Sequence, residues 1–320
     1  MGPYTHVRHI GSGSFGSVSL VQTRTGATVV MKTIETARLS SREREASLLE
    51  IRVLASMDHV NIIALRDYFL EGSKLQIVMD FAEGGDLHEK IMTTVPTERQ
   101  VSCWFTQLCC AVKHLHDRKV LHRDIKSKNC FLTSTLVIKL GDFGLAKALE
   151  STLDLCRTKL GTPHTACPEM FNDEPYDARC DMWSVGCVLY HMMHRRYPFE
   201  APTIRELAKK ISAGNFDNPL HASMNGAYNG VIDMLLQTDP ARRSAVLQQP
   251  NRCRTHLAVT ESVCASACVC VCVVCVGHSA CGCMRIDMCA PPRLASPTAL
   301  QVARRAAARA VVACCMSDAA

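Results

Sequence analysis

A chain of 320 residues and 35.2 kDa has room for one large domain or two ordinary ones. Hydrophobic residues at 48% and charged residues at 21% describe a globular protein and exclude a disordered or fibrous one. The net charge of +6 is spread along the sequence, too weak to make nucleic acid a main partner.

The opening "MGPYTHVRHI" has no apolar signal-peptide core and carries His6 where an N-myristoylation signal requires Ser or Thr. The ending "SDAA" is no prenylation box. A cytoplasmic or nuclear protein without a membrane partner is expected. Of the 19 cysteines, those before position 252 are scattered among apolar residues, as suits small buried thiols in a reducing compartment.

In chain order, "YTHVRHI", "SVSLVQ" and "TVVMKTI" alternate and are rich in β-branched residues, which predicts strands. Residues 40–57 read as a helix, with Ser40 and Glu43 as a capping box and Leu48, Ile51, Leu54 and Ala55 at helical spacing. "LQIVMD" is a buried strand broken by "AEGGDL". After Pro96, Thr97 and Gln100 form a second capping box, and Val101, Trp104, Phe105, Leu108, Val112 and Leu115 share one helical face. "VLHRD" and "VIKLGDFG" are short apolar runs ending in polar loops. Residues 181–193 are apolar almost all round and predict a buried helix. Strands early and helices late suggest two lobes, with a ligand cleft between them.

Five signals along this order bear on chemistry. "GSGSFGSV" places Gly11, Gly13, Gly16 and Val18 between two strands; it reads as a flexible hairpin or as a loop whose backbone approaches phosphates. The dinucleotide version of that pattern opens a helix, whereas "SVSLV" is strand-like. Lys32 ends the apolar run "VVMK" and gains meaning if Glu50, on the following helix, holds its ammonium. "HRDIKSKN" sets Asp124 among cations, either a solvated charged loop or a working carboxylate. In "GDFG", Asp142 is a β-turn residue or a ligand for a divalent metal.

Taken together and in this order, these residues resemble the eukaryotic protein kinase family over roughly residues 4–248, with "GTPHTACPE", Asp181 and Arg243 continuing the match. "HRDIKSKNCFLT", "IKLGDFGLAKAL", "RTKLGTP" and "DMWSVGCVLYHM" resemble the NIMA-related (Nek) kinases in particular.

That resemblance implies an α+β bilobal fold: a five-stranded antiparallel sheet with one key helix to about residue 79, a hinge over 80–83, and a helical lobe to about 250. It implies ATP and Mg²⁺ as cofactors and Ser/Thr-bearing proteins as substrates, since Lys126 stands two residues after Asp124. Asp124 would accept or orient the substrate hydroxyl proton, and Lys126 would neutralise charge on the moving phosphoryl group. Asn129 and Asp142 would hold the metal, while Lys32 and Glu50 grip the phosphates. Ile10, Val18 and Val30 would cover adenine, with backbone hydrogen bonds from Asp80 to Ala82 and Met79 guarding the back pocket. Thr162 would bond Asp124 and Lys126. Thr158, with Ser151 and Thr152 as rivals, is the candidate phosphosite, and Arg123 would receive its phosphate. His122 would stack under Phe143 in the core, and Glu169 would pair with Arg243. The charges of "HRDIKSKN" then divide among tasks rather than forming one ion-pair cluster. His164, Thr165 and Cys167 depart from the family pattern, so substrate preference does not carry over.

Every catalytic position is filled, which weighs against the alternative of a kinase-shaped, catalytically impaired scaffold. Residues 251–320 hold eleven cysteines, and "CVCVCVVCV" alternates as a dinucleotide repeat in DNA would encode. Their spacing fits no zinc framework, and the apolar run 263–277 is shorter than the ~20 residues of a membrane helix. The tail reads as low-complexity sequence or as non-coding sequence read through. Cell-cycle, centrosomal or ciliary roles are expected from the family alone.

Overall fold

The structure is a computed structural model and describes residues 4–13, 16–38, 40, 47, 51–142, 163–172, 174–217, 219 and 226–243. Five antiparallel strands open the chain: β1 (Tyr4–Gly13), β2 (Gly16–Thr23), β3 (Thr28–Glu35), β4 (Leu65–Glu71) and β5 (Lys74–Asp80), in the order β1-β2-β3-β5-β4. The β4 strand escaped the sequence reading because "LRDYFLE" carries charge at three of seven positions. It is an edge strand with one partner, and its Tyr68 and Leu70 are exposed.

Register assigns the two faces. Val18 pairs with Lys32 and Lys32 with Ile77, while Leu20 pairs with Val30 and Val30 with Met79. Directly opposed residues point to the same face. That face therefore carries Val18, Val30, Lys32 and Met79, and it continues into a buried cluster of Ile34, Ile51, Leu75 and Ile77. The other face buries Val21, Val29 and Val78 under Tyr4, Met31 and Phe69.

Helices dominate the rest: α1 (Leu87–Thr93), α2 (Glu98–Asp117), α3 (Pro168–Phe171), α4 (Ala178–His194), α5 (Ile204–Ala213), α6 (Ala227–Leu235) and α7 (Pro240–Arg243). Residues 47 and 51–55 are helical too; Glu43, the second half of the proposed capping box at Ser40, lies outside the described residues. The Thr97–Gln100 box is formed, with Gln100 N–H donating to Thr97 Oγ1 at 3.3 Å and Thr97 N–H to Gln100 Oε1 at 2.9 Å. All six apolar residues assigned to that helix face are buried. So is Gln107, whose Oε1 accepts the Ile138 N–H at 2.7 Å and holds the short hairpin of β6 (Cys130–Leu132) and β7 (Ile138–Leu140) against α2. This hairpin puts two strands in the helical part, so strands are not confined to the first 80 residues.

Helix α4 is buried along Cys180–Met193, as its all-round apolar sequence predicts. One core cluster joins α2, α4, α6 and the β6–β7 hairpin to Leu54, Met57 and Ile62. Packing is close where α4 crosses the end of α6: a Cβ on Gly186 would lie 2.8 Å from Leu235 Cβ and 3.0 Å from Leu236 Cδ2. Neither neighbour can swing away, because both are buried. Gly186→Ala should therefore lower the unfolding free energy by about 1–3 kcal/mol through overpacking, read as a lower urea midpoint at unchanged m-value. An unchanged midpoint would mean that α4 and α6 pack less closely.

Candidate active site

The loop between α2 and β6 carries the charged run, and a buried carboxylate from another helix shapes it. Asp181, in the first turn of α4, is fully buried. Its Oδ2 accepts the His122 N–H at 3.0 Å and its Oδ1 the Arg123 N–H at 3.0 Å. Tyr176 Oη–H donates to Oδ1 at 2.7 Å, and His116 Nε2 meets Oδ2 at 2.8 Å. Burial pushes the Asp181 pKa up, but these donors outweigh it and hold the carboxyl below its ordinary value. The two backbone bonds fall where strain is found, since Arg123 has φ +67°, a left-handed conformation costly for any residue with a Cβ. His122 is fully buried, bonds the Gly141 carbonyl through Nε2 at 3.1 Å, and is kept neutral mainly by burial.

Beyond this anchor the polar side chains converge. Lys126 Nζ lies 2.9 Å from Asp124 Oδ2, and Asn129 Nδ2 donates to both Asp124 O (2.8 Å) and Asp124 Oδ2 (2.9 Å). Asp124 and Lys126 thus form a direct ion pair across one intervening residue, and the 3-10 turn Ser127–Asn129 folds the loop back so that Asn129 reaches the same carboxylate. Arg123 points elsewhere, its guanidinium 5.7 Å from the centre of the Tyr176 ring.

The loop is also held from below. Ser127 Oγ, buried, is 2.9 Å from His191 Nδ1 and 3.2 Å from Tyr197 Oη. His191 stacks on Tyr197, which stacks on His164. Ser127, His116, Tyr176, His191 and Tyr197 were all missed by sequence reasoning. His191 lies in a helix that reads as apolar throughout, and no local pattern signals a partner 64 residues away.

Asn129 and Asp142 sit at one end of the β6–β7 hairpin. Cys130 pairs with Leu140, and the Gly141 N–H donates to the Asn129 carbonyl at 3.0 Å. Both amide hydrogens of Asn129 are directed at Asp124, which leaves its side-chain oxygen as the atom that could serve a metal. Asp142 is exposed at φ +53°. Two hard oxygen donors fit a hard divalent cation.

Facing this edge is the inner surface of the sheet. Lys32 is the fifth residue of β3, not its end, flanked by Val18 and Ile77 in register. Ile10 sits at a register shift of β1, and Gly11 pairs with Val18. Gly11 has open space around its Cβ position, whereas a Cβ on Gly16 would lie 1.7 Å from the Thr33 carbonyl oxygen. Gly16 is therefore dictated by the approach of β2 to β3, a reason separate from phosphate binding. Gly13 pairs with Gly16 to close the hairpin, and the strand that follows excludes the helix-opening dinucleotide form. At the end of β5, Asp80 N–H donates to the Ala64 carbonyl at 3.0 Å, and its carboxylate pairs with Arg66 and lies 3.8 Å from Lys139. Ala82 is buried beside it and Met79 packs against both the sheet and helical cores.

Glu169 and Arg243 form a buried ion pair at 2.6 Å. Glu50, Phe143, Ser151, Thr152, Thr158 and Thr162 lie outside the described residues, as does the tail 251–320.

Burial, helped by His88 and His164, lowers the His191 pKa to about 4. In the unfolded chain the imidazole protonates near its ordinary 6.5. Between these values the unfolded state binds more protons, so stability is full above pH 6.5 and falls as pH drops towards 4. The loss from this site should reach about 3 kcal/mol. Calorimetric unfolding across that range should fall less steeply for His191→Gln than for the parent; equal slopes would place the acid sensitivity elsewhere.

Comparison with known proteins adds a second line. Residues 4–252 match the protein kinase domain family. The chain is 42% identical over 250 residues to the serine/threonine-protein kinase Nek1 of Mus musculus, covering 77% of this chain and 21% of that one. It is 37% identical over 258 residues to Nek5 of Homo sapiens (78% and 36% covered) and 40% identical over 247 residues to Nek3 of Mus musculus (76% and 48%). The chain thus spans from about a fifth to a half of the length of these relatives. A five-stranded sheet facing a loop built on Asp124, Lys126 and Asn129 is what that family match requires, and the chain belongs to the protein kinase domain family.

Proposed function

We propose that this chain is a protein serine/threonine kinase of NIMA-related type, transferring the γ-phosphoryl group of Mg-ATP to Ser or Thr hydroxyls of proteins. The observation that carries the reading is the Asp124–Lys126–Asn129 constellation on an anchored loop. Its support from comparison is that the similar proteins are named serine/threonine-protein kinases.

Phosphoryl transfer asks little covalent chemistry of the protein and much positioning. Asp124 accepts the hydroxyl proton of the substrate or turns its lone pair towards phosphorus. Lys126, already 2.9 Å from that carboxylate, moves its charge to the phosphoryl oxygens as substrate takes its place. Asn129 and Asp142 hold Mg²⁺, which when bound neutralises the phosphate charge. Val18, Val30, Ile10 and Met79 offer an apolar bed for adenine, and Lys32 from the same face reaches the phosphates. Arg123 takes the phosphate of Thr158, coupling phosphorylation to the loop that carries Asp124. We assign the protein to the cytoplasm, with a part in cell-cycle, centrosome or cilium control, on family resemblance.

In a γ-phosphate transfer assay with the full chain, peptides bearing Ser or Thr should be labelled and peptides bearing only Tyr should not. Asp124→Asn should lower kcat by about 10²–10⁴-fold with nucleotide binding retained. Labelling by Asp124→Asn at the parental rate would end the kinase reading. Thr158→Ala enzyme purified from cells should have reduced specific activity; an unchanged value would remove Thr158 as the regulatory site.

A further inference from the structure

Where α3 meets α4, away from the catalytic loop, three metal-binding side chains are buried together. Cys167 is the N-cap residue of α3, Glu169 is its second residue and Cys180 lies in the first turn of α4. They are 1%, 3% and 0% exposed. One ligand atom from each, two Sγ and a carboxylate oxygen, lie within 4.8 Å of one another. Cys167 and Cys180 are free thiols.

The two oxygens of Glu169 are used unequally. Oε1 takes the Arg243 guanidinium at 2.6 Å and the Cys180 Sγ–H at 3.4 Å. Oε2 is buried without a hydrogen-bond partner among the described residues. Such an atom calls for an explanation, an ion among them. The ion pair with Arg243 already balances the carboxylate, so the cluster holds two free cysteines and an acceptor that no described residue fills.

We propose that Cys167, Cys180 and Glu169 form a binding site for one zinc ion, which ties the start of α3 to the start of α4. Binding converts two thiols to thiolates, forms two Zn–S bonds and releases two protons to solvent. No electron moves, and the charge added to the buried cluster is zero, since the ion brings two positive charges and the thiolates two negative ones. The donor set selects the metal. Thiolates reject magnesium and calcium, and the carboxylate makes zinc a better match than copper(I), which prefers sulfur alone. Zinc takes sulfur at about 2.3 Å and carboxylate oxygen at about 2.0–2.2 Å, so the donors need contract by roughly an ångström at most. Three protein ligands leave a fourth coordination position, as in many zinc sites. The ion would brace the same junction as the Glu169–Arg243 pair and the Ser184 Oγ–H bond to the Thr165 carbonyl, 2.8 Å long.

The chain has 17 further cysteines, so the test must resolve residues. Full-length protein stripped of metal should bind one fewer tight Zn²⁺ as Cys167→Ala/Cys180→Ser than as the parent, by competition with a chromophoric chelator. Zn²⁺ should raise the Tm of the parent and leave that of the variant unmoved. If the variant does not fold, the parent itself decides. Trypsin cuts after Lys159 and Arg179, which puts Cys167 and Cys180 on separate peptides. Under mild denaturant, Zn²⁺ should slow maleimide labelling of both at least tenfold. Equal stoichiometry in parent and variant, zinc-independent labelling of the two peptides, or a disulfide joining them in zinc-treated protein would overturn the site. None of these readouts involves phosphotransfer, so they stand or fall apart from the kinase reading.

Discussion

The buried carboxylate of Asp181 is the point on which the site depends. A charge taken out of water must be met by donors. Here four meet it: two backbone N–H groups of the 122–129 loop, the Tyr176 hydroxyl and the His116 imidazole. The requirement runs in both directions. The carboxylate needs those amides, and the amides are presented only if Arg123 turns to φ +67°. A strained backbone conformation is thereby fixed by an electrostatic demand from a helix more than fifty residues later in the chain. Everything beyond Arg123, including Asp124, Lys126 and Asn129, inherits its position from that turn.

Helix α4 can serve as this anchor because it is itself immobilised. Its buried length packs on α2 and α6, with Gly186 allowing the closest approach. Its polar residues are then spent on contacts to the surrounding loops: Asp181 upward to 122–123, His191 to Ser127, and Ser184 to the 163–167 segment. A single buried helix thus positions the 122–129 loop at two points and the segment leading into α3 at another. The Arg243–Glu169 pair fixes that segment from the far side, with the guanidinium 5.3 Å from the centre of the Trp183 ring.

The sequence carried more of the fold than of the site's support. The strands 4–34 and 75–80, the capped helix after Pro96 and the buried helix near 181–193 follow from local period and capping chemistry, and the structure has them. The strand Leu65–Glu71 was not legible, because an edge position tolerates charge and weakens alternation. In the site, the motif residues could be named because phosphate and metal chemistry restricts residue type at short spacing. Their mutual geometry could not. Asp124 and Lys126 were assigned to different tasks, and the folded loop shows them in direct contact, with Asn129 brought back to the same carboxylate by the 127–129 turn. Gly16 was taken for a phosphate-approach glycine, whereas backbone crowding by Thr33 already requires it.

The sequence alone determined which residue types stand in the 122–129 loop, at the glycine hairpin and after β7, and the family they resemble, because those are short-range patterns set by chemistry. The tertiary structure alone decided that Asp181 holds the loop, that Ser127 rests on His191, and that Cys167, Glu169 and Cys180 meet. Among these contacts, residues up to 64 positions apart are joined. Partners at such separations are chosen by how helices pack, and helix packing depends on the shape of the whole core rather than on any local run of residues.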